Sequence, residues 1–411
     1  MPRLCILTQY FPPEMGAPQV RLSELGERLL DLGWEVEALT ALPNYPTGAV
    51  FPGYPRRRPA VESVGRLRTV RVPLLPSQRG FVRRIGCYLS FAASAAWYGP
   101  RLCARPDLLL FESPPLFLGL GARRLARRWR CPYVMNVSDL WPQSAIEMGV
   151  VRPGLATRLA ERLELSLYRH AAGVTGQSEE IVESVARRAP DVRTEVVTNG
   201  VDPARFGKAV ADTDLTDLDT ARGLIGPEPG PVFLYAGLFG LAQGLDRLFD
   251  LAASLPPEVP GRLVLVGDGP LRAALAARIE REGIHRVRLL PAQPRERVPA
   301  LLAAADVAVA SLGLRLEGAV PSKIYEAMAS GLPLLLIAEG EAVRRVEHAE
   351  CGIAVPPGDL AAAVDAWARL ASDPELRARL GAAGRRAAET TYDRSRIAER
   401  LDIFLRGALA A

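Results

Sequence analysis

The chain has 411 residues, 49% of them hydrophobic and 24% charged, with 51 Lys and Arg against 46 Asp and Glu. That length favours two domains of about 200 residues each, and the composition excludes a disordered or fibrous chain. Five scattered cysteines (Cys5, Cys87, Cys103, Cys131, Cys351) form no CxxC pair, and His170, His285 and His348 stand apart. This argues against a disulfide framework or a zinc centre and fits a reducing cytoplasm.

In chain order, "LCILTQY" follows the start directly and reads as a strand, not a signal peptide. An amphipathic helix follows from Gln19 to Leu32, with Gly33 placed to cap it. "EVEALTAL", "RTVRVPLL", "LLLFES", "PYVMNVSDL" and "GVTGQS" then alternate with helical patterns. Apolar strands interleaved with helices predict a parallel sheet covered on both faces. "TEVVTNGVDPARF" closes this series in a turn-rich segment, and the acidic, Gly- and Pro-rich stretch after it reads as a linker or surface loop. A second series opens at "VFLYAG" and continues through "RLVLVGDG", "VRLLPA", "DVAVASL" and "LPLLLIA". The fold class expected is α/β, two doubly wound Rossmann-like halves, with ligands beyond the carboxyl ends of the strands and a cleft between the halves. The expected boundaries are an N-terminal domain over 1–200, a linker and acidic loop over 201–231, and a second domain over 232–394. A final helix over 395–411 is a candidate to return to the first domain.

Charge is unevenly spread. Residues 1–200 carry 26 basic and 18 acidic side chains, a net +8, and the remainder a net −3. The excess concentrates in 56–130, where 16 arginines face Glu62, Asp107 and Glu112, so this half is expected to meet something anionic. Within it, "IGCYLSFAASAAWYG" falls short of the roughly 20 residues of a membrane span. Residues 79–100 combine arginines with Phe81, Tyr88, Phe91, Trp97 and Tyr98, and 122–130 add further arginines. That pattern suits a helix lying on an anionic membrane surface, or a helix packing its apolar face on the sheet. No helix-turn-helix, zinc-finger or RRM pattern speaks for nucleic acid.

Two lysines occur, Lys208 and Lys323, and Lys323 stands in "EGAVPSKIYEAMASGLPLLL". The pattern predicts strand, loop, a helix over "SKIYEAMAS" ended by Gly331, and strand. Lys323 then lies in the first turn, where free N–H groups and the helix dipole favour an anion, and Glu326 lies one turn deeper on the same face. A cation at a phosphate-binding helix end, with a carboxylate able to accept from two hydroxyls, suits a nucleoside diphosphate and its ribose. An intrahelical Lys–Glu pair is the plainer alternative. Asp139, in "VSDLWPQ", ends a strand, where it would take or orient an acceptor proton, or cap the next helix. The two DxD triplets in "DTDLTDLDT" (Asp212 and Asp214, Asp217 and Asp219) read as a solvated loop, and no metal requirement is expected.

Taken together, these segments resemble the family 4 glycosyltransferases of the GT-B fold over nearly the whole chain. "YEAMASGLPLLL" is similar to the family's donor-site signature, "TNGVD" to its interdomain motif, and "LVLVGDGP" and "GIAVPPGD" to two later strands. "LYAGLFGLAQGLDRL" holds the place of its glycine loop, and "QYFPPEMGAPQVR" resembles the loop that approaches the donor. "NYPTG" and "SDLWPQSAIEMG" resemble the subgroup that builds O-antigen, capsule and exopolysaccharide, including N-acetyl-fucosaminyl transferases. The resemblance implies a retaining transfer from a nucleotide sugar, a UDP-sugar by expectation, bound by the C-terminal domain. The acceptor it implies is a saccharide or a polyprenyl-diphosphate-linked sugar bound by the N-terminal domain, on the inner face of the cytoplasmic membrane. The donor-binding residues it implies are Gly16, Ala17, Gly237, Gly240, Gly267, Arg315, Glu317, Gly318, Lys323 and Glu326, and the catalytic residues Asp139, Lys323 and Glu326. The chain departs from the pattern in three places. Gly318 stands where the family has a first glutamate, with Glu317 beside it. Leu238 and Gln243 stand where it has basic phosphate ligands, which shifts that work to Lys323, helix N-termini and Arg315. Asp139 stands where many members have a histidine. Two other outcomes stay open at this point: a catalytically inactive sugar-nucleotide-binding scaffold, and a transferase acting on a soluble acceptor.

Overall fold

A computed structural model describes residues 1–77, 80–206 and 215–410, with the side chains of 215–217 outside that description. The chain divides into two units: Met1–Asn199 with Arg394–Ala411, and Gly200–Asp393.

The first unit is built on an eight-stranded sheet in the order β3-β4-β2-β1-β5-β6-β7-β8. Its strands are β1 (Arg3–Leu7), β2 (Glu35–Ala41), β3 (Ala60–Val64), β4 (Leu67–Val72), β5 (Leu108–Ser113), β6 (Tyr133–Val137), β7 (Gly173–Gly176) and β8 (Thr194–Val196). All pair in parallel except β3, which runs antiparallel to β4 along the edge. β5 and β6 are buried along their whole length, as strands covered on both faces must be. One face packs on the helices Phe81–Leu102 and Leu118–Trp129 through Phe91, Leu125 and Trp129. The other packs on the helix Ala17–Asp31 through Leu22, Leu25 and Leu29. Among the described residues no helix is long and apolar enough to cross a membrane.

The last helix, Arg394–Ala410, belongs to this first unit. Ile397, Leu401, Phe404 and Leu405 share a core with Leu22, Leu25, Leu29 and Trp34. The Trp34 indole N–H donates to Asp402 at 2.5 Å, and the Arg406 guanidinium donates to the Leu32 carbonyl at 2.8 Å.

The second unit carries a six-stranded parallel sheet in the order β11-β10-β9-β12-β13-β14. Its strands are β9 (Val232–Ala236), β10 (Arg262–Val266), β11 (Val287–Leu290), β12 (Val307–Ser311), β13 (Leu334–Ile337) and β14 (Gly352–Val355). The strand order reverses between β9 and β12, which places a ligand crevice beyond their carboxyl ends.

Three segments differ from the sequence reading. The stretch expected to be an acidic loop over 201–231 contains the helix Leu215–Ile225, held because Ala221 and Ile225 are buried in the second unit's core. β3 and β8 are strands where none was expected. β3 alternates between half-buried and exposed positions at the sheet edge, and β8 is three residues long. Asp212 and Asp214 lie outside the described residues, and Asp217 does so by its side chain. Asp219 is exposed, with its carboxylate 3.6 Å from Arg222.

Candidate active site

The second unit gathers its candidate residues around the carboxyl ends of β9 and β12. After β9 the chain turns at Gly237 (φ 147°), whose N–H donates to the Val266 carbonyl at 2.8 Å. This brings the β9 loop against Gly267: a Cβ built on Gly267 would fall on the Gly237 carbonyl oxygen and 2.7 Å from the Phe239 ring. The loop then runs through Gly240, which precedes a 3-10 turn over Leu241–Gln243, to Gly244 (φ 58°). That end is pinned to the loop after β12, because the Gly313 N–H donates to the Ala242 carbonyl at 2.8 Å and the Ser311 hydroxyl to the Gln243 carbonyl at 2.6 Å. Gly313 and Gly244 touch backbone to backbone, which only a residue without a side chain permits.

The loop after β12 delivers the helix Lys323–Ser330, ended by Gly331 in the left-handed conformation at φ 70°. Lys323 is the helix's first residue and folds back toward β9. Its Nζ lies 4.7 Å from the centroid of the Tyr235 ring, and a Cβ built on Gly237 would stand 2.7 Å from it. The ammonium is thus steadied by an aromatic face and given room by bare backbone, at a helix N-terminus whose dipole adds to the positive potential there. Lys323 is half-buried, and burial pulls its pKa below the usual lysine value while Glu326 pushes it back up. Glu326 is half-buried one turn on. Arg315 is exposed and Glu317 half-buried on the same loop, and Gly318 is buried at φ 74°. The residue at 318 therefore adopts a conformation that glycine tolerates and that a glutamate there would resist.

Gly237, Gly240, Gly267, Arg315, Glu317, Gly318, Lys323 and Glu326 thus sit on loops and a helix start at one edge of one sheet. Gly16, Ala17 and Asp139 belong to the other unit. Gly16 precedes and Ala17 begins the helix Ala17–Asp31. Asp139 follows β6, and the helix after it, Gln143–Glu147, is preceded by Pro142, so Asp139 does not cap it. Asp139 is only half-buried, yet the protein around its carboxyl group, and then Glu112, push its pKa up to about 7, with Arg21 pulling it down.

Beneath Asp139 lies a buried polar cluster that the sequence reading missed. Arg21, 1% exposed, sends Nη2 to Glu112 Oε1 and to the Ser138 hydroxyl, both at 2.7 Å. Its Nη1 donates to Asn199 Oδ1 at 2.9 Å and to Gln177 Oε1 at 3.3 Å. Glu112 also accepts from Asn136 Nδ2 at 2.5 Å and from the Ser138 hydroxyl. The signal available in sequence was weak: a lone arginine on the apolar face of an amphipathic helix, and one acid in an otherwise apolar strand.

Residues 16–200 match the glycosyl transferase 4-like domain, and residues 222–387 match glycosyl transferases group 1, so two models together span most of the chain. WcaI of Escherichia coli (strain K12), assigned to colanic acid biosynthesis glycosyl transfer, is 27% identical over 80% of this chain and 81% of its own. The 2-deoxystreptamine glucosyltransferase of Streptomyces kanamyceticus is 27% identical over 88% of this chain and 92% of its own. Two solved structures share the fold: sucrose-phosphate synthase from Thermosynechococcus elongatus (TM-score 0.76, 22% identity, 100% of each chain) and Anabaena HepE in complex with UDP (TM-score 0.71, 20% identity, 98% of this chain and 99% of that one). With its two parallel-sheet units, each matched by its own domain model, the chain belongs to the glycosyltransferases of the GT-B fold that pair a 4-like N-terminal domain with a group 1 C-terminal domain.

Proposed function

We propose that this glycosyltransferase moves a hexose-type sugar from a UDP donor to a lipid-linked or saccharide acceptor in cell-surface polysaccharide biosynthesis, with retention and without a metal ion. The observation that carries the reading is Lys323, held over Tyr235 and against Gly237 at a helix start, with Glu326 one turn deeper. The donor's diphosphate lies at Lys323 and the N-terminus of its helix, and Glu326 accepts from the ribose hydroxyls. In the reaction the bond from the anomeric carbon to the diphosphate oxygen breaks, and its electron pair leaves with UDP. The acceptor oxygen bonds to that carbon, and its proton passes to Asp139. Lys323 stabilises the charge that grows on the leaving group, so transfer proceeds in EDTA. N-acetylfucosamine is the first donor sugar to try.

A polyprenyl-linked acceptor agrees with the helix Phe81–Leu102, which turns Phe81, Val82, Leu89 and Trp97 outward beside Arg83 and Arg84. In this reading that helix and the arginines of 122–130 meet the anionic inner face of the cytoplasmic membrane. A second reading, a donor-binding scaffold without transfer, draws on Leu238, exposed, and Gln243, half-buried, which stand on the glycine loop where basic phosphate ligands were expected.

Thermal unfolding against UDP, GDP, ADP, CMP and no nucleotide tests the donor. Saturation at a hundred times Kd adds about 2.7 kcal/mol, or roughly 2–4 °C per kcal/mol for units of this size. A shift with UDP that Glu326→Ala abolishes is expected, together with transfer lowered by about 10²-fold in Lys323→Ala. A GDP or ADP shift overturns the donor assignment, and UDP binding with neither transfer nor donor hydrolysis favours the scaffold.

A further inference from the structure

The cluster beneath Asp139 is assembled from five separate segments. Arg21 comes from the helix after β1, Glu112 from β5, Asn136 and Ser138 from β6 and its end, Gln177 from the end of β7 and Asn199 from beyond β8. The helix after β1 and the strand β5 meet where the order of the first sheet reverses, the place at which such sheets bind ligands. A buried ion pair adds little net stability compared with apolar packing of the same volume. Here the Arg21 Nε is also buried without an acceptor among the described residues, which costs further. The charged groups acting on Asp139 are Glu112 from β5 and Arg21 from the helix Ala17–Asp31, and the groups that β6, β7 and the segment after β8 contribute to the cluster are neutral.

We propose that Glu112 and Arg21 are positioning residues, a fixed pair of opposite charges under Asp139 that sets its orientation and its protonation for the acceptor hydroxyl. This rests on the reading of Asp139 as the acceptor-side carboxylate. Burial does most to hold the proton on Asp139, and the pair, neutral as a whole, adds to it because Glu112 acts on Asp139 more strongly than Arg21. A base that releases its proton near the working pH is the more effective one.

Glu112→Gln tests the proposal, because the amide still accepts from Arg21 and Ser138 while the negative charge is gone. Arg21 then acts on Asp139 uncountered, its carboxyl group ionises more readily, and the acidic limb of kcat/KM moves to lower pH by about one unit or more. A limb that stays in place while the rate falls equally at every pH overturns the proposal, since Glu112 would then serve structure alone. Asp139→Asn at the wild-type rate is a different failure, that of the Asp139 reading. If Glu112→Gln does not fold, Ser138→Ala decides. It removes a donor from Glu112, leaves that carboxylate's charge less screened, and is expected to move the limb upward; an unmoved limb overturns the proposal.

Discussion

At Gly237 the structure leaves room for no side chain. A methyl group there would meet the Lys323 Cε at 2.5 Å and Nζ at 2.7 Å, at a φ of 147° that L residues rarely adopt. Gly237→Ala should therefore push the ammonium off Tyr235 and weaken UDP binding by tenfold or more, read by calorimetry, while the N-terminal unit's unfolding temperature stays unchanged. The Lys323–Glu326 pair was legible in sequence because both residues lie within one helical turn and the lysine is rare. Tyr235 and Gly237 were not legible as its partners, because nothing local ties position 235 to position 323. The same holds for Arg21 and Asn199, bonded to each other across 178 positions.

The elements that sequence reading recovered are those with long apolar runs: β5, β6, β9, β12 and β13 are buried end to end or nearly so, and burial on both faces writes itself as consecutive Val, Leu, Ile and Ala. Two elements with one wet face were missed. β3 is one; the helix Leu215–Ile225 is another, since Thr216, Asp217, Asp219 and Thr220 interrupt its apolar positions. Two of them, Ala221 and Ile225, are enough to dock it, and the Arg288 guanidinium donates to the Ile225 carbonyl at 3.2 Å. Ile225→Ala is expected to lower the stability of the C-terminal unit by about 2–5 kcal/mol in urea unfolding. UDP affinity, measured on the folded protein, should be unchanged.

For the whole molecule, the two units have separate cores, so their stabilities are separable. Phe404, 4% exposed, rests on Gly173 of β7, where a built Cβ would come within 2.5 Å of its ring, and Arg193 lies 5.3 Å from the ring centroid. Phe404→Ala removes about 3–5 kcal/mol from the N-terminal unit, and its calorimetric transition should fall by roughly 6–20 °C. The transition that UDP raises should stay where it is; movement of both together would show that the units unfold as one.

The return of Arg394–Ala410 to the first unit also orders events on the ribosome. The strands and flanking helices of that unit leave the exit tunnel well before the helix that covers Leu22, Leu25 and Leu29 has been translated. At 5–20 residues per second, the roughly 200 residues between take some 10–40 s. For that interval the nascent chain lacks part of the cover of that apolar stripe, while Gly200–Asp393 has all of its strands before the helix arrives. The half made first is the half completed last.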